Sequence, residues 1–216
     1  MRKYNRYNPA LSFDFLTPLY DPLIALVGWE KTFKQELRRQ AAIRPFERIL
    51  DLACGTGTLA IAIKKEQPTA KVYGLDGDGR ILDKARQKAK SARVEISFAE
   101  AYSTAMPYPK NFFDCVVTSL FFHHLTGENK KRTLMEILRV LKPGGRLHIA
   151  DWGEPANLLM RLAQQPVIWL DGATTTDNFQ GKLPDIAREA GFEDVTESGV
   201  FNTIGGTVRL HRATKR

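Results

Sequence analysis

The residues that could do chemistry fall at the ends of predicted strands. The segment from Asp51 to Ala60 carries Gly55, Gly57 and Ala60 at the spacing of a nucleotide-binding turn. In such a turn the glycines permit a tight bend and a close backbone approach, while the following helix presents free N–H groups to a ligand. This spacing suits a dinucleotide or another nucleoside ligand equally well.

Two carboxylates narrow the choice of ligand. Asp76 closes the second predicted strand, about 20 residues beyond the glycine turn, where it can accept hydrogen bonds from both ribose hydroxyls. Asp51 leads into the glycine turn, where its charge would repel a pyrophosphate but favour a ligand that carries an ammonium and a sulfonium. The charges therefore favour S-adenosylmethionine over NAD. The alternative is that Asp51 only ties down its own turn, as aspartate often does.

A second group of candidates follows the fourth and fifth predicted strands. His123 and His124 come after the fourth strand, and Asp151 ends the fifth. Histidine titrates near neutral pH, so either ring could act as a base or hold an acceptor, and all three residues are candidate catalytic groups. The alternative is that a histidine simply orders its loop. The aromatic residues that could wall this site are Phe121, Phe122 and Trp152.

Short apolar runs alternate with helical patterns from Arg48 onward, which predicts βαβ units and a mostly parallel sheet. The predicted strands are Arg48–Ala53, Lys71–Asp76, Val94–Ala99, Phe113–Ser119 and Arg146–Asp151. The predicted helices between them are Thr58–Glu66, Ile81–Ala92 and Lys130–Leu141. The C-terminal part predicts a helix over Leu183–Gly191 and an antiparallel hairpin of Glu193–Val200 and Gly206–Arg212. In such sheets ligands bind beyond the carboxyl ends of the strands.

The chain length allows one good core with additions at its ends. We expect residues 1–44 to form an aromatic arm with N-terminal helices, over Leu23–Val27 and Lys31–Ala42, that acts as a substrate lid. Residues 45–216 then form the binding domain, with 155–182 as an insertion at the acceptor site. Within that insertion Trp169 and Phe179 either close over the substrate or fill the core.

The composition of the chain limits the classes of partner, the kinds of site and the location that we expect. The net charge of +8 and the pI near 9.5 suit nucleic acid, an anionic lipid surface or an acidic substrate, and do not choose among them. Basic runs such as residues 130–132 are typical of solvated helix faces. Cys54 and Cys115 are expected to be buried apolar residues, and no metal site is expected. Without a membrane-length apolar run or a secretory signal, the expected location is the cytoplasm.

From Arg48 to Asp151 the chain resembles the class I S-adenosylmethionine-dependent methyltransferases, whose glycine loop commonly reads D-x-G-x-G-x-G. It is most similar in character to the quinone-biosynthesis C-methyltransferases, which also carry a Tyr-Asp pair like Tyr20-Asp21. Ala53 departs from the usual first glycine, and Glu100 from the commoner Asp that lies beside the adenine amino group. The resemblance implies a Rossmann-like, doubly wound, seven-stranded sheet. The cofactor contacts that it implies are Tyr20, Asp51, Ala53, Gly55, Thr56, Gly57, Asp76, Gly77, Glu100, Ala101 and Ser119.

The resemblance also implies an in-line methyl transfer that leaves S-adenosylhomocysteine. The expected acceptor is a small molecule: quinone-like, aromatic, lipid or amine. The alternatives are an RNA or protein methyltransferase, a cofactor-binding module without turnover, or a NAD enzyme. No stable nucleic-acid complex is expected, because the fourth strand ends Ser119-Leu120-Phe121-Phe122, without the Asn/Asp-Pro-Pro-aromatic motif of base-amino methyltransferases. Peripheral membrane contact and a monomeric or homodimeric state stay open.

Overall fold

The computed structural model describes residues 29–216, except for the side chains of residues 29–31, 170, 171 and 173. The arm, the predicted helix Leu23–Val27 and Tyr20 lie outside the described residues. In chain order the elements are α1 Trp29–Ala41, β1 Arg48–Leu52, α2 Thr58–Glu66, β2 Lys71–Asp76, α3 Gly79–Ser91, β3 Ser97–Glu100, β4 Phe113–Ser119, a 3-10 turn Phe122–His124, α4 Gly127–Val140, β5 Leu141–Trp152, α5 Leu158–Ala163, α6 Gln165–Asp171, a 3-10 turn Gly172–Thr175, α7 Thr176–Phe179, α8 Leu183–Ala190, β6 Glu193–Thr203 and β7 Gly206–Thr214.

The strands form one sheet in the order β3-β2-β1-β4-β5-β7-β6. The first five strands of this order run parallel, whereas β7 is antiparallel to both β5 and β6. The predicted seven-stranded, doubly wound sheet with a C-terminal antiparallel hairpin is therefore confirmed. The strand order reverses between β1 and β4, so the loops that follow these two strands meet at one edge of the sheet.

Two apolar clusters cover the two faces of the sheet. Leu50 and Leu52 of β1 pack with Leu134 of α4 and Leu183 of α8 on one face. Ile49 faces the other side, where the cluster contains the α1 residues Phe33, Leu37 and Ala41 and the α2 residues Leu59, Ala60 and Ile63. This alternation is what strands buried on both faces require. Because α1 lies in this core, any lid within residues 1–44 would come from the chain before it.

Several predicted boundaries shift for local reasons. The third strand begins at Ser97 and not at Val94, because the Val94 N–H is bonded to the Ala89 carbonyl at the end of α3. The helix α3 begins at Gly79, two residues early, because the Asp78 side chain accepts the N–H of Arg80 and caps it. The helix α4 likewise begins after Thr126, whose hydroxyl accepts the N–H of Asn129.

The insertion predicted at 155–182 folds into short helices. Phe179 is buried, whereas the Trp169 side chain is 84% exposed. The core-filling alternative is therefore right for Phe179 and wrong for Trp169. Cys54 and Cys115 are both buried and free, as expected. Within residues 29–216, no helix is long and apolar enough to cross a bilayer.

Candidate active site

The glycine loop between β1 and α2 takes three positive φ angles. They occur at Ala53 (φ 56°), Gly55 (φ 53°) and Gly57 (φ 74°). Glycine adopts this region without strain, but the Cβ of an alanine does not. A Cβ at Gly57 would lie 3.2 Å from both Ala85 Cβ and Phe98 Cζ, so the close packing of α3 and β3 also favours glycine there. A Cβ at Gly55 would meet nothing within 4 Å, so the backbone there is open to a ligand.

Asp51 lies almost fully buried at the start of this loop. Its Oδ2 accepts the N–H of Ala60 at 2.9 Å, so the carboxylate does tie the loop to the first turn of α2. Burial raises the pKa of Asp51 to about 7. A buried carboxyl with a pKa near 7 would ionise fully beside a cation. Asp51 can therefore both hold the loop through the Ala60 N–H and bind an ammonium.

Asp76 pins the same loop to the end of β2. Its Oδ2 accepts the N–H of Gly55 at 2.9 Å, and its Oδ1 accepts the N–H of Asp78 at 3.1 Å. Burial raises the pKa of this carboxyl. Each carboxylate oxygen has lone pairs for a further bond, so Asp76 can still accept ribose hydroxyls.

A cleft of about 470 Å³ opens beyond β2 and β3. Asp76 and Glu100 are register partners on these strands, and the Glu100 carboxylate packs against Gly79 at the start of α3. Ala101 follows Glu100 and donates its N–H to the Asp76 carbonyl at 3.0 Å. The cleft-lining residues are Gly77, Asp78, Gly79, Arg80, Asp83, Arg86 and Glu100. Among them, Gly77 and Glu100 are predicted from the sequence, whereas Arg80 and Arg86 are not.

Thr56 lies within the loop after β1, and Ser119 ends the neighbouring strand β4. The Nζ of Lys88, on α3, donates to the hydroxyls of Thr58 at 2.6 Å and Thr56 at 3.2 Å. Ser119 is the last residue of β4 and pairs in register with Ala150. The chain then turns at Leu120, which has a positive φ of 52°. The role of Lys88 was missed, because nothing in a run of surface cations marks the one that reaches the loop.

On the β4 and β5 side, one carboxylate organises the predicted catalytic group. Asp151 is 1% exposed, and its Oδ2 accepts the N–H groups of Phe121 at 3.0 Å and Phe122 at 2.6 Å. Its Oδ1 lies 2.6 Å from His123 Nδ1 and accepts the N–H of Trp152 at 2.7 Å. Burial alone would raise the pKa of Asp151, but His123 and these hydrogen bonds hold it below its usual value.

His124 differs from His123 in its surroundings. The two rings lie with their centroids 3.9 Å apart. Burial and the neighbouring His123 lower the pKa of His124 to about 3. His124 is therefore neutral at physiological pH. His123, in contrast, has a carboxylate partner in Asp151.

Lys130 links α4 to residues 174–177, which pack against the Phe122–His124 turn. The side chain is fully buried, and its Nζ donates to the Thr174 carbonyl at 2.8 Å and lies 3.5 Å from Asp177 Oδ2. The expectation that residues 130–132 form a solvated face is wrong for Lys130, because residues 174–177 fold over it. Burial lowers the pKa of its ammonium, although Asp177 opposes the shift. Nothing in the basic run distinguishes Lys130 from its neighbours.

Comparison with known proteins decides the family. Residues 49–145 match the model of a methyltransferase domain. A demethylmenaquinone methyltransferase of Thermus thermophilus is 35% identical over 175 residues, which cover 77% of this chain and 78% of that protein. A ubiquinone/menaquinone biosynthesis C-methyltransferase of Yersinia pestis is 30% identical and covers 99% of this chain and 86% of its own length. The chain belongs to the class I S-adenosylmethionine-dependent methyltransferases.

Solved structures agree with this methyltransferase in fold. An S-adenosylmethionine-dependent methyltransferase from Aquifex aeolicus superposes with a TM-score of 0.65 at 19% identity, over 85% of this chain and 89% of that one. The [4+2]-cyclase SpnF superposes with a TM-score of 0.68 at 19% identity, over 86% of this chain and 80% of that one. The predicted enzyme class and the cofactor S-adenosylmethionine are confirmed by the family.

Proposed function

We propose that this methyltransferase places a methyl group on a ring carbon of a small reduced quinone, or hydroquinone. Two relatives that align over most of the chain are named for quinone methylation, one of them as a C-methyltransferase. The structural observation that carries the proposal is the buried Asp151–His123 pair at the carboxyl ends of β5 and β4. A carbon acceptor must lose a proton when it is methylated, so such an enzyme benefits from a base at this position.

The cofactor residues are proposed from their places around the loop. S-adenosylmethionine, when bound, supplies a methyl group that is activated by the sulfonium. Asp51 would face the ammonium of the methionine part, and Asp76 would accept the ribose hydroxyls. Glu100 and the carbonyl of Ala101 would recognise the adenine edge, because the Ala101 N–H already bonds to the Asp76 carbonyl. The residues proposed to line the remaining surface are Ala53, Gly55, Thr56, Gly57, Gly77 and Ser119. Tyr20 stays a prediction, because it lies outside the described residues.

His123 is the proposed base. Asp151 accepts a hydrogen bond from the Nδ1–H tautomer, which places the lone pair of the neutral ring on Nε2. Nε2 would take the proton of an acceptor hydroxyl, and the resulting phenolate is electron-rich at the adjacent ring carbon. That carbon would accept the methyl group that the cofactor supplies. The ring C–H proton would then pass to solvent water, and the imidazolium of His123 would return its proton to the ring oxygen, which restores the hydroquinone. Apart from this proton transfer, the protein contributes alignment and exclusion of water.

Asp151 is a positioning residue in this proposal and does not act as the base. Its two oxygens already receive three backbone N–H groups and the imidazole, and its pKa lies below the usual value. His124 stays neutral, because its pKa lies near 3, and would hold the acceptor by a hydrogen bond. The segment 172–179, anchored by Lys130, would close the acceptor side.

An acceptor panel tests this proposal. The protein is incubated with methyl-labelled S-adenosylmethionine and, separately, with reduced 1,4-naphthoquinone, catechol, phosphoethanolamine, a mixed RNA transcript and a basic peptide. We expect label in the naphthohydroquinone and none in RNA or peptide. Transfer mainly to oxygen, nitrogen or RNA would overturn the choice of acceptor. Tight binding of S-adenosylmethionine in calorimetry without any transfer would indicate a module without turnover. Cytoplasmic location and a monomeric or homodimeric state stay predictions, to be tested by fractionation and sedimentation.

A further inference from the structure

Large apolar side chains stand in solvent on the outer side of α5 and α6. Leu158, Leu159 and Leu162 are 71%, 68% and 63% exposed, and Trp169 is 84% exposed. Met160 and Gln164 face inward from the same segment and are buried. Single exposed apolar residues are ordinary on protein surfaces, but a continuous group of them marks a contact surface.

The backbone makes these residues one face. Helical hydrogen bonds continue through the junction of α5 and α6, from Gln164 N to Met160 O at 3.1 Å and from Ile168 N to Gln164 O at 3.0 Å. Leu158, Leu162 and Trp169 are separated by four and seven residues, so they fall on one side of this helical segment.

The turn between β6 and β7 packs against the inner side of this segment. A Cβ at Gly205 would lie 3.4 Å from Val167 Cγ2, and one at Gly206 would lie 3.0 Å from Gln164 Cβ. The turn therefore rests against α5 and α6, and its Ile204 is 72% exposed. We call Leu158, Leu159, Leu162 and Trp169 the apolar face.

We propose that the apolar face docks on the surface of an anionic phospholipid membrane. These side chains are so exposed that they project from the protein and do not line a groove, and a fluid interface accepts such a shape without a complementary pocket. Leucine with tryptophan is the composition that enters the headgroup boundary. From residue 158 to residue 169 the one ionisable side chain is the exposed Arg161, and the whole chain carries +8. Both charges suit anionic headgroups.

The apolar face lies near the candidate active site, which indicates a function for the docking. The segment begins six residues after Trp152, whose N–H bonds to Asp151, and Trp152 Cη2 would lie 3.0 Å from a Cβ at Gly205. The segment that carries the apolar face is thus joined by packing to Trp152, next to Asp151. Docking would therefore hold the candidate active site close to the bilayer in which a lipophilic acceptor is dissolved. This benefit rests on the proposed function, but membrane binding itself does not.

Vesicle co-sedimentation of the full chain tests the docking. We expect the protein to pellet with phosphatidylglycerol-containing vesicles at about 0.15 M salt, and more weakly with pure phosphatidylcholine. The variant Leu158→Ser/Leu162→Ser/Trp169→Ser should lose about tenfold or more in partitioning. The matched control is Phe46→Ser/Met135→Ser, which removes exposed apolar side chains at other sites and should bind within about twofold of the unaltered protein. Thermal unfolding with S-adenosylmethionine checks that both variants fold.

A second readout covers the case in which the triple variant does not fold. Brominated lipid should quench tryptophan fluorescence in the unaltered protein, and Trp169→Phe should lose most of this quenching while still pelleting with vesicles. No binding of the unaltered protein to anionic vesicles would overturn the proposal, and so would equal binding of the folded triple variant. A dimer that the triple variant dissociates, without vesicle binding, would assign the face to a second copy. Neither readout uses an acceptor, so failure here is distinguishable from failure in the acceptor panel.

Discussion

His123 Nδ1 and Asp151 Oδ1 lie 2.6 Å apart in the interior, and the same carboxylate accepts backbone N–H groups from the turn that carries the histidine. One side chain therefore fixes both the tautomer of the ring and the path of the chain that presents it. The predicted catalytic histidine depends on a residue from the neighbouring strand.

Replacing His123 by Gln should lower kcat by about 100-fold or more, because the proposed base is lost while the volume is nearly kept. The measurement is steady-state methyl transfer to the hydroquinone acceptor. His211→Gln is the matched control, since His211 is also a buried histidine but lies on β7. Equal turnover in the His123 variant and the unaltered protein would remove His123 from the chemistry.

Asp151→Asn should destabilise the fold by about 2–4 kcal/mol, because a buried acceptor of several hydrogen bonds becomes a neutral amide. The folded-state pKa of Asp151 is lowered, so its stabilisation is present above the unfolded pKa near 3.8 and is lost as pH falls through the folded value. Urea unfolding at pH 7 and pH 3 measures this, with the exposed Asp185→Asn as control. An unchanged free energy of unfolding at pH 7 would contradict the organising role.

Cofactor affinity should depend on the ionisation of Asp51. Its folded pKa is raised to about 7, so its contribution to the stability of the cofactor-free protein is present below the unfolded value near 3.8 and is lost as pH rises through 7. A cationic ligand favours the ionised form, so binding should tighten by about tenfold or more from pH 5 to pH 7. Calorimetry across this range checks the slope, and Asp51→Asn should flatten it. An equal slope in both proteins would place the titration elsewhere.

Ala53→Gly should raise the free energy of unfolding by about 0.5–1 kcal/mol, because Ala53 has a φ of 56°. The measurement is chemical denaturation without cofactor. Ala92→Gly is the control, since Ala92 has a φ of −77° and the change should destabilise there. If Ala53→Gly destabilises as well, the loop is not strained at this residue.

Lys130→Met should raise the acceptor KM about tenfold while leaving the affinity for S-adenosylmethionine unchanged, because residues 174–177 lose their anchor. Lys131→Met tests the same helix at an exposed position, where the Nζ lies 3.9 Å from Glu189 Oε2, and should leave both constants unchanged. An acceptor KM unaffected by Lys130→Met would show that the anchor has no part in acceptor binding.

The sequence predicts best those elements whose positions are set by residues close together in the chain. The apolar runs of β1, β2 and β4 and the glycine spacing of the loop have few alternative explanations, and their places are confirmed. The sequence did not predict which neighbour would cover a side chain. Lys130 is buried by a segment more than forty residues away in the sequence, and Trp169 is exposed to solvent. The residues that flank each of them in the sequence do not indicate either outcome. Asp151 was identified as a candidate, but its hydrogen bonds depend on a pairing between strands.

The position of the transferred methyl group tests the central claim most directly. The protein is given 13C-methyl S-adenosylmethionine and reduced 1,4-naphthoquinone, and the product is analysed by NMR and mass spectrometry. The proposal predicts a labelled methyl bonded to ring carbon, with production that falls in His123→Gln and not in His211→Gln. A product labelled at oxygen, or a ring carbon methylated equally well by both variants, would contradict it.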